Sequence, residues 1–259
     1  LTMRSLKVRN RIFVAPMCQY SAQNGFPNQW HLVHLGSRAV GGAGLVMAEA
    51  TAITAQGRIS PGDLGIWSDE HVAPFKEIAA FIASQGAVPG IQIAHAGRKA
   101  ATDVPWLGGS PLSRDQGGWQ AIGPSAVPFD DGYQRPAEMT EKLVLSTLNS
   151  FRDAAHRAAE AGFKLIEIHM AHGYLLHSFL SPFSNIRKDK FGGDLNGRMR
   201  FPLMVAEAVR AAWPAQQPVL VRISCTDWKA GGWDLEQSVI FAGLLKDIGI
   251  DMIDCKKNK

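Results

Sequence analysis

A parallel α/β protein is what this sequence predicts, and three observations carry the prediction. Short apolar runs alternate with longer helical patterns until a sixth run closes the 259 residues. Nothing between the runs reads as a hairpin turn, so consecutive strands must be joined by right-handed crossovers. The first run leads into Pro16-Met17-Cys18-Gln19-Tyr20 rather than a G-x-G-x-x-G turn, which favours a (β/α) barrel over an open, doubly wound sheet. A barrel of that kind needs eight strands. With six here, the expected architecture is an incomplete (β/α)8 barrel, residues 1–259 forming one partial domain.

Taken in order, Arg11 to Pro16 is the first strand. Gln29 to Gly44 follows as a helix, with Leu32, Val33, Leu35, Ala39 and Val40 at helical spacing and glycines at its end. Leu45 to Ala48 is the second strand, and residues 51–68 are loop-like. Asp69 is placed to cap a helix that runs to Gln85 and stops at Gly86. Val88 to Ala94 is the third strand. Residues 96–137 are a long Gly- and Pro-rich excursion carrying Trp106 and Trp119. Loops of that length in compact domains are usually lids or binding loops, so it is expected over the barrel mouth. Thr140 caps an amphipathic helix to Ala161, with Gly162 as its stop. Leu165 to Ile168 is strand four, Arg198 to Trp213 a helix, and Pro218 to Ile223 strand five. Asp234 and Gln237 read as a capping box for a helix to Ile248. Asp251 to Asp254 is strand six, and residues 256–259 form a polar tail.

Composition narrows the function classes. A chain with 46% hydrophobic residues can bury a sizeable core. No apolar run approaches the roughly 18 residues of a membrane span, and no secretory leader is recognisable. The net charge of +4 is scattered, with no basic block or aromatic-rich RNA signature, so nucleic acid is not expected as a partner. Cys18, Cys225 and Cys255 are odd in number and far apart, which predicts free thiols in a reducing, cytoplasmic setting.

In a parallel α/β protein all strand C-termini share one face, and ligands bind there. That rim collects Cys18 and Tyr20 from strand one, and Glu49, Ala50 and Thr51 from strand two. Strand three adds Gln92, His95, Arg98 and Lys99; strand four adds His169, His172 and Tyr174; strands five and six add Arg222 and Cys255. Each has an ordinary alternative. Cys18 reads as a small buried residue as well as a reactive thiol. Gln92 inside an apolar strand needs a partner, either structural or a ligand. Arg222 needs a carboxylate or an anionic ligand. His169 and His172 suit a metal, but no third ligand is evident and none is expected. By period-two alternation, Glu167 faces away from Ile166 and Ile168. The pair His31 and His34 lies in a helical pattern with solvated or core roles.

Four motifs together resemble one family. Ala15-Pro16-Met17-Cys18-Gln19-Tyr20, Gln92-Ile93-Ala94-His95-Ala96-Gly97-Arg98-Lys99, His169-x-x-His172-x-Tyr174 and Val221-Arg222-Ile223-Ser224 are similar to the Old Yellow Enzyme family of flavin ene-reductases. Ser181-Pro182-Phe183-Ser184-Asn185 and Phe191-Gly192-Gly193 extend the likeness, which runs from about residue 4 to 255. The resemblance implies a (β/α)8 barrel with FMN at its C-terminal mouth and NADPH or NADH as reductant. Ala15, Pro16, Met17, Cys18, Ala50, Gln92 and Arg222 would hold the flavin, with the Cys18 thiol near its reactive edge. His169 and His172 would bind the carbonyl oxygen of an enone (or the nitro group of a nitroalkene), Tyr20 would line the pocket, and Tyr174 would donate a proton. The resemblance also implies a homo-oligomer and a C-terminal region beyond residue 259 that carries the phosphate site. The expectation is therefore a fragment that holds FMN weakly, the alternative being an inactive barrel fragment retaining only ligand or partner binding. Relatives acting on dienoyl thioesters use an iron-sulfur cluster, which three scattered cysteines do not supply.

Overall fold

The computed structural model describes residues 1–256. The chain opens with an antiparallel pair, β1 (Thr2–Met3) and β2 (Leu6–Lys7). This hairpin precedes the first of the six expected runs and is not legible in the sequence, because two-residue strands are too short to show alternation. β3 (Phe13–Val14), α1 (Gln29–Val40) and β4 (Leu45–Ala52) follow. Then come α2 (Val72–Ser84), β5 (Val88–Ala94), β6 (Ile122–Gly123), β7 (Ala137–Glu138), α3 (Glu141–Glu160) and β8 (Leu165–Met170). The chain continues through α4 (Leu175–Leu180), α5 (Leu195–Ala212), β9 (Val219–Ser224), α6 (Leu235–Ile248) and β10 (Met252–Lys256).

Six strands form one all-parallel sheet in the order β10-β9-β8-β5-β4-β3. Helices cover its outer face, and the result is an incomplete (β/α)8 barrel. β4, β5 and β8 are buried at every position, which is why their sequences read as apolar runs rather than alternating ones, broken only by Glu49, Thr51, Gln92, Glu167 and His169. The main core lies between sheet and helices and includes Phe75, Phe151, Phe163, Ile166, Phe201 and Phe241. A second cluster, Val8, Leu45, Met47, Val88, Leu165 and Leu220, fills the N-terminal end of the sheet, where the β1–β2 hairpin adds Met3 and Leu6.

Local signals set most boundaries. Thr140 Oγ1 accepts the Leu143 N–H at the start of α3, and Gly162 at φ +91° lets the chain leave it. Asn28 caps α1 with a reciprocal bond to His31 Nδ1, which gives that histidine a structural task. Asp234 caps α6; Gln237 returns its amide to the Asp234 carboxylate rather than to the cap backbone. Asp69 does not cap: Ser68 caps a single 3-10 turn, Asp69–His71, ahead of α2, and the Asp69 carboxylate pairs with Arg157 at 2.6 Å. Strand four runs two residues further than its apolar run, to Met170, so His169 lies inside β8. The helix expected from Arg198 begins at Leu195, capped by Asp194. Lys256, expected in a tail, pairs with Ser224 as the last residue of β10; 257–259 lie outside the described residues. The excursion 96–137 contains three 3-10 turns and the short parallel β6–β7 pair. It is tied down by Trp119 Nε1 to Gln56 O and Gln56 Nε2 to Gln120 O.

Candidate active site

The site is built at the C-terminal ends of β3, β4, β5, β8 and β9. After β3 the chain passes through Ala15, Pro16 and Met17 outside any helix or strand, and Met17 is 48% exposed. The register of β4 against β5 slips between Ala48 and Ala50, a bulge at Glu49. The buried Glu49 carboxylate there accepts the Gln19 N–H at 2.9 Å and fixes the Cys18-Gln19-Tyr20 turn, in which Tyr20 sits at φ +50°. Burial pushes the Glu49 carboxyl up to about 8. Burial, then Asp63 and Glu49, raises the Cys18 thiol well above its ordinary range, so at neutral pH it is a thiol beside the Tyr20 hydroxyl. Ala50 follows the bulge as a small, buried surface. The Tyr20 ring meets Trp106 of the excursion edge-on, centroids 5.8 Å apart.

Gln92 and Glu167 are neighbours in the β5–β8 register, and Gln92 Nε2 donates to Glu167 Oε1 at 2.6 Å. The glutamine thus has a structural partner that also orients its amide. Arg222 opposes His169 across β8–β9, and its Nε stands 3.1 Å from Asp254 Oδ2 on β10. That contact is an ion pair without an aligned hydrogen bond, leaving the buried Nε unsatisfied. His95 is turned aside to accept the Gly97 N–H at 3.0 Å, a structural role.

His169, His172 and Tyr174 come together. Their ring centroids lie 4.8 Å apart for the two imidazoles, 4.9 Å for His169–Tyr174 and 6.1 Å for His172–Tyr174. His169 Nδ1 accepts the Ala171 N–H at 3.2 Å, which puts its proton on Nε2, and Nε2 faces His172 Nδ1 at 3.2 Å. His172 then carries its proton on Nε2. The two rings form a donor chain rather than two parallel donors. Burial, then His172, pushes His169 far below the ordinary imidazole range, so His169 is neutral at physiological pH. Tyr174 is raised by burial and by Cys18 and Tyr20 across the mouth. Lys99 reaches the same cluster: its ammonium lies 5.3 Å from the Tyr174 ring and 4.2 Å from Phe129, and it donates to His172 O at 3.1 Å. Burial, then Arg98, lowers Lys99 to about 8.

Sequence reasoning named most of these side chains without their partners. It missed His177 and Asp227, which stand behind the Tyr174 turn, and it missed α4 altogether. Those six residues, LLHSFL, are all buried and show no polar face. A histidine four residues after Gly173 was the available signal for the first.

Among the described residues, no group of three or more His, Cys, Asp or Glu side chains could hold a metal ion. The donor set does fit a planar heterocycle with carbonyl and ring-nitrogen acceptors. An oriented amide, an unsatisfied guanidinium Nε and imidazole N–H groups line adjacent strand ends above the small Ala50. A parallel barrel with this rim is of the flavin oxidoreductase class. Residues 1–259 match the model of the NADH:flavin oxidoreductase / NADH oxidase family, and the chain belongs to that family of FMN oxidoreductases. The "NADPH dehydrogenase" of Geobacillus sp. (strain WCH70) is 44% identical over 255 residues, 98% of this chain and 70% of its own length. Among solved structures, morphinone reductase in complex with tetrahydroNAD superposes with a TM-score of 0.84 at 27% identity, covering 98% of this chain and 72% of that one. The old yellow enzyme homologue from Zymomonas mobilis gives 0.86 at 27% identity, over 99% and 72%.

Proposed function

We propose that this protein reduces activated alkenes, α,β-unsaturated carbonyl or nitro compounds, with NADPH or NADH as reductant. The observation that carries the reading is the convergence of His169, His172 and Tyr174 at the end of β8, facing Cys18 and Tyr20 across the mouth. FMN, when bound, would supply the hydride transfer that links nicotinamide oxidation to reduction of the alkene β-carbon. Ala15, Pro16, Met17, Cys18, Ala50, Gln92 and Arg222 are the residues that would hold it. An isolated alkene lacks a sink for the incoming electron pair, so the substrate needs an electronegative oxygen.

His169 and His172 serve that oxygen. His169 offers the Nε2–H now spent on His172 Nδ1, and His172 offers the N–H on its own Nε2, so a carbonyl oxygen that replaces the contact between the rings takes one bond from each. Donors of this kind contribute about 3 kcal/mol each to charge stabilisation. Tyr174 holds the proton for the α-carbon: with its pKa raised, the phenol is protonated throughout the neutral range. Tyr20, with Trp106 behind it, forms an aromatic wall for the substrate. The same reading makes residues 1–259 one partial barrel domain of a cytoplasmic homo-oligomer.

The test is a visible spectrum of purified protein with added FMN. Bound flavin that bleaches with NADPH and recovers on adding an enone supports the reading. A flavin that NADPH reduces and only oxygen reoxidises would rule out the alkene substrates and leave an oxidase. Mass on a sizing column decides the oligomer.

A further inference from the structure

The turn that presents His172 and Tyr174 holds two consecutive residues in the left-handed region, His172 at φ +63° and Gly173 at φ +74°. A residue with a Cβ keeps that conformation only where its surroundings impose it. Three side chains from outside the turn grip its backbone. Ser224 Oγ, at the end of β9, accepts the His172 N–H at 2.9 Å, and Lys99 Nζ donates to His172 O at 3.1 Å. The third is His177 on α4, whose Nδ1 accepts the Gly173 N–H at 2.8 Å. His177 is only 4% exposed.

With Nδ1 receiving an N–H, the neutral His177 ring carries its proton on Nε2. That nitrogen stands 3.2 Å from Asp227 Oδ1 in the β9–α6 connection, an electrostatic contact rather than an aligned hydrogen bond. Asp227 is itself fixed, since its Oδ2 accepts from Ser181 Oγ at 2.6 Å and from the Trp233 N–H at 2.8 Å. Burial acts to raise this carboxyl, but the contact with His177 and the bonds from Ser181 and Trp233 hold it below the ordinary carboxylate range. An oriented imidazole backed by a carboxylate is how a ring is locked in one tautomer.

We propose that His177, oriented by Asp227, is a positioning residue of the active site. It fixes the Gly173 N–H and so places the His172 imidazole and Tyr174 phenol on either side of it. The wrong tautomer would set N–H against N–H at Gly173 and release the turn. The kinetic arm of the test rests on the alkene-reductase reading; the spectroscopic arm does not.

Three variants separate positioning from packing. His177→Asn puts an amide oxygen near the place of Nδ1 and keeps an acceptor for Gly173. His177→Phe keeps the ring volume and loses the acceptor. A packing role predicts that Phe is tolerated and Asn harmful; positioning predicts the reverse. In Asp227→Asn, the two donors at Oδ2 retain the amide oxygen, so the NH2 faces His177 and forces the ring proton onto Nδ1.

Long-range 1H–15N NMR of the histidine rings in the full chain reads the tautomers, and 2-cyclohexenone reduction with FMN and NADPH reads function. We expect an Nε2–H pattern for His177 in the wild type and an Nδ1–H pattern in Asp227→Asn. His177→Phe should shift the His169 and His172 ring signals and lower kcat at least tenfold, while His177→Asn keeps those signals and stays within threefold. Equal behaviour of the Asn and Phe variants, or an Nε2–H pattern surviving in Asp227→Asn, would overturn the proposal. Should His177→Phe fail to fold, the Asp227→Asn tautomer decides. A wild type that never reduces the enone defeats the alkene reading, and the ring signals still decide this one.

Discussion

His169 is a buried neutral imidazole with the half-buried His172 beside it, and their value to a substrate oxygen is that of preorganised donors. Replacing either with alanine should lower enone turnover by roughly 10²-fold, the ordinary cost of one such donor. Steady-state rates at saturating NADPH check this, and undiminished turnover in the double variant would remove the pair from the reaction. Glu49 gives a second residue-scale prediction. Its carboxyl titrates near 8 in the folded chain against 4.5 ordinarily, because burial outweighs the Gln19 and Tyr20 N–H bonds. Between those values the folded state holds a proton that the unfolded state has released, so stability falls as pH rises through that window. Asp63, raised by burial to about 6, and Glu167, raised by burial and Asp254 to about 7, act in the same direction. Glu49→Gln keeps an acceptor for Gln19 and removes the charge. Urea titrations at pH 5 and pH 8 should show a smaller drop for the variant than for the wild type; parallel drops would mean that Glu49 does not carry the slope.

At the scale of elements, helix ends were legible because caps are local. Thr140 and Gly162 bracket α3 as their residue types predict. Thr140→Ala leaves the Leu143 N–H without its side-chain acceptor and should cost about 1 kcal/mol. At Gly162 a Cβ has room, its first neighbour being Ala79 Cβ at 4.0 Å, so Gly162→Ala isolates the penalty of φ +91° at about 1–2 kcal/mol. Denaturation midpoints measure both, and an unchanged midpoint for Gly162→Ala would show that the turn relaxes. α4 and the 3-10 turns of residues 97–116 were not legible. A six-residue helix buried all round has no periodicity, and the excursion takes its shape from contacts such as Trp119 with Gln56.

At the scale of the molecule, the N-terminal hairpin closes the lower end of the sheet. Arg4, at φ +50°, pairs with Asp251 at 2.7 Å and donates to Ala215 O and Gly249 O, joining the start of the chain to the entry of β10. The guanidinium is partly exposed, so solvent screening limits its worth. Arg4→Ala should cost about 1 kcal/mol, with amide exchange quickening in β1–β2 and at Asp251 before the strands of the sheet centre. Exchange rising equally in β5 and β8 would show instead that the hairpin and the core unfold as one unit.

By itself the sequence determined the parallel strand-helix alternation, the caps of α3 and α6 and the list of polar side chains at the strand ends. Those signals lie within a few residues of where they act. It also carried enough of the Ala15–Tyr20, Gln92–Lys99, His169–Tyr174 and Val221–Ser224 motifs to indicate the family. Only the tertiary structure decided who partners whom. Gln92 meets Glu167, Arg222 meets Asp254, and His177 ties Gly173 to Asp227, because inter-strand register and loop docking bring together residues far apart in the chain. The His177 contacts set which of its nitrogens carries the proton, and a one-residue change of register would have turned Gln92, Glu167, Arg222 or Asp254 to the other face of the sheet.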